Sequence, residues 1–335
     1  MKCSPSLPVA LLFAVCAGTG HGQAPASTAA SRVPRAVVAG RNAELLASAT
    51  RAMPGLVLAP GAGERLAYCE RPLVLTLKVD SVTAPTTRLV AGMGELRGDE
   101  GEARHSVIDE ILFVISGWGY AAFGSDTVPL GPGSVVHVPP GTPHRIVSTG
   151  AAPMRYHFVV GPSASAAAFR RAAARGCASG PTSASGVAPP SVAPPAPTAG
   201  APARRATVFA PGEGPRVNYC LFPLVITTKV DTTSVPATRL TAAAGSLRRG
   251  MEVGTHPASD EVVLITHGRG RAFIGADTTA VEAGSVTYTP AGTTHGFIND
   301  GDDTLEYFIV YSASFGRSAF RALAAKPGPY CPSAP

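Results

Sequence analysis

The sequence predicts an all-β protein made of two tandem copies of one antiparallel sandwich or barrel. Three observations carry this prediction. Shifted by 151 positions, the chain aligns with itself without a gap, Leu56–Arg170 against Thr207–Arg321, with about two positions in five identical. Among 335 residues, 37 glycines and 32 prolines indicate turn-rich structure. Short apolar and β-branched runs recur within each copy, separated by Gly, Pro and Asp. A repeat of this length is a whole domain, since solenoid units span roughly 20 to 50 residues.

From the N-terminus, Lys2, the apolar run Leu7–Ala17 and the small residues Gly18, Gly20, Gly22 and Ala24 read as a secretory signal over residues 1–24. The run is shorter than the roughly 20 residues a membrane helix needs. A secreted or periplasmic protein, with no membrane partner after cleavage, is expected. Cys16 follows Val15 rather than the small residue a lipid anchor prefers. Residues 25–55 form an N-terminal segment, partly disordered, with a short helix expected from Asn42 to Ala52.

The first domain, residues 56–177, offers strands at Leu73–Val79, Thr87–Met93, Ile111–Ile115, Tyr120–Phe123, Ser134–Val138 and Met154–Val160. A helix is expected over Ser163–Ala174. Residues 178–206 are almost entirely Ala, Pro, Ser, Gly, Val and Thr, the composition of a linker that imposes no docking. Proteolysis there is expected to release two folded halves. The second domain, residues 207–331, repeats the first and ends in a helix over Phe315–Ala325.

A net charge of +6 arises from scattered arginines without interleaved aromatic residues, which gives no reason to expect a nucleic-acid partner. Beyond the signal lie Cys69 and Cys177 in copy one, and Cys220 and Cys331 in copy two. Four cysteines permit three pairings. Only Cys69–Cys177 with Cys220–Cys331 closes each repeat on itself, so those two disulfides are predicted for an oxidising compartment.

The residue types that carry chemistry recur at matched offsets. Gly133, Pro139, Gly141 and His144 form G-x5-P-x-G-x2-H, and Gly284, Pro290, Gly292 and His295 repeat it. A turn shaped by Pro and Gly can hold an imidazole in place. Upstream, His105 precedes Glu110 by five residues, and His256 precedes Glu261 likewise. An odd spacing puts two residues of one straight strand on opposite faces, so a turn over Ser106–Asp109 and Pro257–Asp260 must bring them together. The strands that follow, Ile111–Ile115 and Val262–Ile265, are apolar on both faces and are expected to be buried.

These paired motifs resemble those of the cupin superfamily, over nearly all of both copies. The resemblance implies two double-stranded β-helix, jelly-roll-like barrels, a bicupin. It also implies a divalent metal in each barrel, held by His105, Glu110 and His144 and by His256, Glu261 and His295. The family's first motif usually opens with another histidine; here Ala103 and Gly254 stand in that place. Two imidazoles and one carboxylate still suit Mn, Fe, Ni or Zn. The family's later asparagine is Asn299 in copy two and Ser148 in copy one, which suggests unequal pockets. His137, His157 and His267 have no counterpart in the other copy and read as structural.

A three-ligand site leaves coordination positions open, so the leading expectation is a metal-dependent enzyme acting on a small polar molecule. Dioxygenase, decarboxylase, isomerase and hydrolase chemistry all remain open, as do the catalytic residues. The rival is a non-catalytic module that binds or stores a small ligand. A charged or hydrogen-bonding interior favours the first, a wholly apolar one the second. Arg88 and Arg239, present in both copies, either face an anion or pair at the surface with Asp80 and Asp231. Homo-oligomers are compatible with either reading.

Overall fold

The computed structural model describes residues 55–162, 164–175 and 205–331. The signal over 1–24, nearly all of the segment 25–55, Cys177 and the linker up to residue 204 lie outside these. The first copy holds β1 (Leu56–Leu58), β2 (Glu64–Ala67), β3 (Leu73–Val79), β4 (Val90–Leu96) and β5 (Asp109–Ser116). It continues through β6 (Gly119–Phe123), β7 (Asp126–Leu130), β8 (Val135–Val138), β9 (Arg145–Ser148), β10 (Met154–Gly161) and α1 (Ala166–Ala174). The second copy begins with β11 (Thr207–Phe209), β12 (Arg216–Asn218), β13 (Leu224–Val230), β14 (Thr241–Leu247) and β15 (Gly250–Gly254). It ends with β16 (Glu261–His267), β17 (Arg269–Ile274), β18 (Asp277–Glu282), β19 (Val286–Thr289), β20 (His295–Asn299), β21 (Leu305–Tyr311) and α2 (Arg317–Ala324).

Each copy packs a seven-stranded antiparallel sheet against a smaller one. The orders are β11-β8-β5-β10-β4-β3-β2 over β7-β6-β9, and β1-β19-β16-β21-β14-β13-β12 over β15-β20-β17-β18. The fold is all-β with a short helix closing each copy, as the sequence predicts. Leu112, Val114, Tyr156 and Phe158 pack with Ala121, Leu130 and Ile146 to fill the first interior. Val263, Ile265, Tyr307 and Ile309 pack with Ala272, Val281 and Phe297 to fill the second.

The large sheets pack on each other as well. Ile111, Val135 and Val159 of one share a core with Val262, Leu264 and Val310 of the other, and Phe113 stacks on Phe308 at 4.6 Å between ring centroids. This explains the runs that are apolar on both faces. Successive strand residues point to opposite sides, so Leu112 and Val114 face their own interior while Ile111 and Phe113 face the other copy. His157, buried in that middle layer, is driven down to about 3 by burial and stays neutral.

The copies also exchange their first strands. Leu56–Leu58 pairs with Val286–Tyr288 of copy two, and Thr207–Phe209 pairs with Val135–His137 of copy one. A boundary drawn by sequence repeat therefore differs from one drawn by hydrogen bonding. Buried Lys78 donates to the carbonyls of Ala59, Pro60 and Ala62, just beyond the crossing strand, and Lys229 donates to those of Ala210 and Glu213. The motif glycines Gly133 and Gly284, at φ of 87° and 90°, lie beneath the crossing segments. A Cβ there would come within 3.2 Å of Pro211 and 3.0 Å of Pro60 respectively. Glycine is required there by the backbone conformation, and it also leaves room for the exchanged chain.

Arginines complete the exchange and correct the sequence reading of Arg88 and Arg239, which neither face an anion nor pair with Asp80 and Asp231. Arg239 donates to Asp109 Oδ2 and to Val107 O, both at 2.7 Å, across the copies. Reciprocally, Arg88 donates to Ala258 O at 3.0 Å and Ser312 Oγ at 3.2 Å, 3.9 Å from Asp260 Oδ2. Asp80 pairs instead with Arg170 of α1. The expectation that cleavage in the linker releases two separately folded halves does not fit this fold, because each half lacks a strand and a core face that the other supplies.

Cys220 and Cys331 form the expected disulfide, Cα atoms 4.7 Å apart and 111 residues apart in sequence. Of the second expected pair, Cys177 lies outside the described residues. Two outcomes follow. Protein cleaved within 178–206 should elute from gel filtration as one complex, separating only in denaturant; two folded, separately eluting halves would contradict the shared core. Replacing Cys220 and Cys331 by Ser should lower unfolding free energy by up to ~4.7 kcal/mol in the chain-entropy limit, read from urea titration.

Candidate functional site

The six residues singled out by the motifs assemble into two triads. His105 Nε2 and His144 Nε2 lie 3.1 Å and 3.0 Å from Glu110 Oε2. His256 Nε2 is 3.2 Å from Glu261 Oε2, and His295 Nε2 is 3.1 Å from Oε1 of the same carboxylate. One ligand atom from each residue of a triad lies within 4.8 Å of the others. Such a group could hold a metal ion.

Local structure produces this convergence. Glu110 heads β5 on the same side as Leu112 and Val114, so it points into its own interior; Asp109, one residue earlier, points to the other copy. The chain between each histidine–glutamate pair leaves the strand, as the odd spacing requires. Downstream, Thr142 N–H bonds Pro139 O and Thr293 N–H bonds Pro290 O, closing turns whose third residues, Gly141 and Gly292, both have φ of 81°. These glycines donate to His105 O and His256 O at 2.6 Å and 2.9 Å, joining the two motifs. Arg239 and Arg88 bond the carbonyls of Val107 and Ala258, within the same loops, from the opposite copy.

Hydrogen bonding fixes two of the imidazoles. His144 Nδ1 donates to Thr142 O at 3.1 Å and His295 Nδ1 to Thr293 O at 2.8 Å. A carbonyl can only accept, so the neutral ring presents its Nε2 lone pair to the glutamate. Lone pairs facing a carboxylate at this distance call for a cation between them, a proton or a metal. Without a metal, burial disfavours the imidazolium, but the adjacent carboxylate outweighs it and pushes His144 and His295 up to about 9. Burial likewise opposes charge on Glu110 and Glu261, yet their two imidazoles hold both well below the usual carboxylate range.

Ala103 and Gly254, where the resemblance would place a further histidine, sit opposite His144 and His295 in the strand register. A Cβ at Gly254 would lie 3.4 Å from His256 Nε2. The vacant side-chain position thus faces the triad.

Sequence comparison of the repeats missed one pair. At the repeat offset Glu100 matches Met251 and Glu252 matches Gly101, so neither glutamate stands out. In space they coincide. Glu100 accepts from Ile146 N–H, while Glu252 lies opposite Phe297, the residue equivalent to Ile146, and accepts from its N–H. The bridges Asp99–Val147 and Ala103–His144 span four residues on one side and three on the other, and this bulge absorbs the one-residue slip. Burial, then repulsion from the triad glutamate, raises Glu100 to about 8 and Glu252 to about 7. The signal that could have found them is a carboxylate repeated with an offset of one.

Cavities of about 550 Å³ and 400 Å³ open beside the first and second triads. Their walls differ. Arg71, Arg104, Arg175, Glu100 and Glu102 line the first with Tyr68 and Tyr156. Tyr219, Tyr307, Tyr311, Phe315 and Phe320 dominate the second, which has neither Lys nor Arg among its described lining residues. The inequality expected from Asn299 and Ser148 exists, but these residues do not make it. Asn299 donates to Leu247 O and Asp303 O, and Ser148 Oγ accepts from Met154 N–H, so both staple turns. His137 is fully buried and bonds Asp109 Oδ1 at 3.1 Å, a structural role as expected.

Known proteins carry the same architecture. The chain is similar to the oxalate decarboxylase of Bacillus subtilis, with 16% identity, TM-score 0.56, and 87% of this chain and 85% of that one covered. Protein Ylba of E. coli gives 13% identity and TM-score 0.54 over 77% and 90% of the chains. An uncharacterized Streptomyces coelicolor protein is 42% identical over 55 residues, which is 16% of this chain. The match spans about half of that relative's length, 51%. The family model described as a cupin domain matches twice, at residues 95–160 and 248–311, each match ending in the strand that pairs with the triad glutamate's strand. Each copy thus matches a cupin domain, and the fold is that of a two-domain cupin.

Proposed function

We propose that each copy binds one divalent metal, Mn, Fe, Ni or Zn, through His105, Glu110 and His144 or through His256, Glu261 and His295. The chain is then an exported, metal-dependent bicupin enzyme whose reaction on a small polar molecule takes place in the first copy. The observation that carries this reading is the convergence of two imidazole Nε2 atoms on one buried carboxylate, one of them held with its lone pair towards it, next to a cavity with charged walls. The donor set fits such ions: two neutral imidazoles and one carboxylate, on neighbouring strands of a rigid sandwich. When bound, the metal would supply Lewis acidity at open coordination positions.

The chain's own residues do the rest. Arg71, half-buried at the wall near Tyr68 and Glu100, and Arg104 can orient polar or anionic groups of a substrate. In the metal-free protein, burial and then the charge of Glu110 keep Glu100 protonated at neutral pH, so its carboxyl carries a proton beside the triad. Export is supported by the Cys220–Cys331 disulfide and by the signal-like residues 1–24. No helix among the described residues is long and apolar enough to cross a membrane. The apolar interior of the second copy favours the alternative, a small-ligand-binding module, for that copy alone.

Replacing Glu110 and Glu261 together by Gln should reduce metal content, measured by elemental analysis after reconstitution, from two per chain to below about 0.2, with circular dichroism unchanged. A wild-type protein that takes up none of the four metals would refute the metal reading.

Loading should also depend on pH. His144 and His295 must release a proton to bind metal, so apparent affinity should rise up to about tenfold per pH unit per site from 6.5 towards 9, then level off. In the metal-free protein the raised histidines stabilise the fold below pH ~6.5, an effect lost as pH rises through about 9. The depressed glutamates stabilise it above pH ~4.3, an effect lost on acidification. The metal-induced rise in Tm should therefore grow from pH 6 to 9, as chelator competition and thermal melts would show.

A further inference from the structure

The two copies share a triad but not a cavity, and the differences fall at matched positions. Glu102, Ala164 and Ala172 on the wall of the first become Val253, Phe315 and Leu323 on the wall of the second. Val160 becomes Tyr311, which joins the wall of the second. Arg71, Arg104 and Arg175 lose their place altogether, since Phe222, Thr255 and Lys326 are not among the residues lining the second cavity. Each of these changes removes charge or adds a ring or branched chain, and although Phe158 to Ile309 and Ile108 to Ser259 run the other way, the second wall carries more rings, while the triads match residue for residue. A fold that needed only a filled core would have no reason to keep 400 Å³ open between these rings.

The rings are arranged around the opening. Tyr311, Phe315 and Phe320 form one cluster, with centroids 5.0 Å, 5.4 Å and 6.3 Å apart. Phe297 and Tyr307 pack at 4.9 Å as a second surface, and His256 meets Tyr311 edge-on at 4.8 Å. Tyr307 OH, at 3.4 Å from Oε1, and Phe297 N–H both donate to Glu252, and a carboxyl on the cavity wall with two donors retains acceptor capacity for a ligand hydroxyl. We infer that the second copy's cavity is a binding site for an uncharged aromatic molecule bearing a hydroxyl. Ring faces and edges hold such a ligand by offset and edge contacts, and among the described lining residues no Lys or Arg is there to pair with a carboxylate. The inference goes beyond the proposed reaction and does not rest on it, because the apolar walls need no metal.

The test uses the full chain and 2-naphthol as probe, followed by the probe's fluorescence, with and without prior chelation. The expected result is one saturable site per chain that persists after chelation. Val253→Glu and Phe315→Ala install the residues that copy one carries at the same positions. Each should weaken naphthol binding about tenfold or more with metal content unchanged; Val253→Glu should leave the thermal melt in place, whereas Phe315→Ala should lower it, because that ring packs on Tyr311 and Phe320. Arg71→Ala, in the other cavity, should have no effect. Malonate should not compete for the naphthol site. Absence of saturable binding, binding unmoved by both variants, or binding that Arg71→Ala abolishes would overturn the inference. Loss of metal uptake alone would refute the metal reading and leave this one standing.

Discussion

The alternation of side chains along β5 and β16 is the constraint on which the rest of the molecule depends. Adjacent acidic residues open each of these strands, and the pleat sends them in opposite directions. Glu110 and Glu261 go inward to a pair of imidazoles. Asp109 and Asp260 go outward to an arginine of the other copy. The apolar residues that follow obey the same rule, filling one sandwich interior on even turns of the pleat and the shared middle layer on odd ones. Site and interface are therefore two faces of one strand, and a register slip of one residue would ruin both.

The exchanged strands make this arrangement hard to take apart. A crossing strand adds main-chain hydrogen bonds to the far sheet, and a buried lysine gathers the carbonyls just beyond it. Buried ammonium groups are costly unless fully hydrogen-bonded, and Lys78 meets that cost with three carbonyl acceptors. The loops bearing His105 and His256 are bonded on one side to the turn glycines of their own copy and on the other to an arginine from its neighbour. Triad residues on loops are thereby held nearly as firmly as residues on strands, which favours a site assembled before anything binds.

Within that frame the two cavities have diverged without disturbing the triads. The buried carboxyls Glu100 and Glu252 occupy one spatial position from unequal sequence positions, with a bulge taking up the difference. A buried acid near a carboxylate is expensive to retain by chance, since each raises the other's proton affinity. Charged walls around one such acid and aromatic walls around the other suit different ligands on one scaffold. Duplication allows this, because the interface faces need to stay fixed while the cavity walls do not.

By itself the sequence determined the duplication, the all-β class, the closing helices and the six triad residues. These are local or periodic features, legible as matched offsets, turn chemistry and strand alternation. Even the apolar runs after Glu110 and Glu261 declared that both faces were buried. What covered the outer face, however, was decided only by tertiary structure. Pairing of Leu56–Leu58 with the sheet of copy two joins segments more than two hundred residues apart, and nothing in either segment specifies its partner. The same holds for Arg88 and Arg239, whose repeat-conserved spacing to Asp80 and Asp231 suggested a local pair, whereas the interface supplied Asp260 and Asp109. Glu100 and Glu252 escaped notice because a comparison at fixed offset cannot see through a bulge. Cavity walls depend on side chains gathered from many strands, and only their packing in three dimensions settles which of them line the opening.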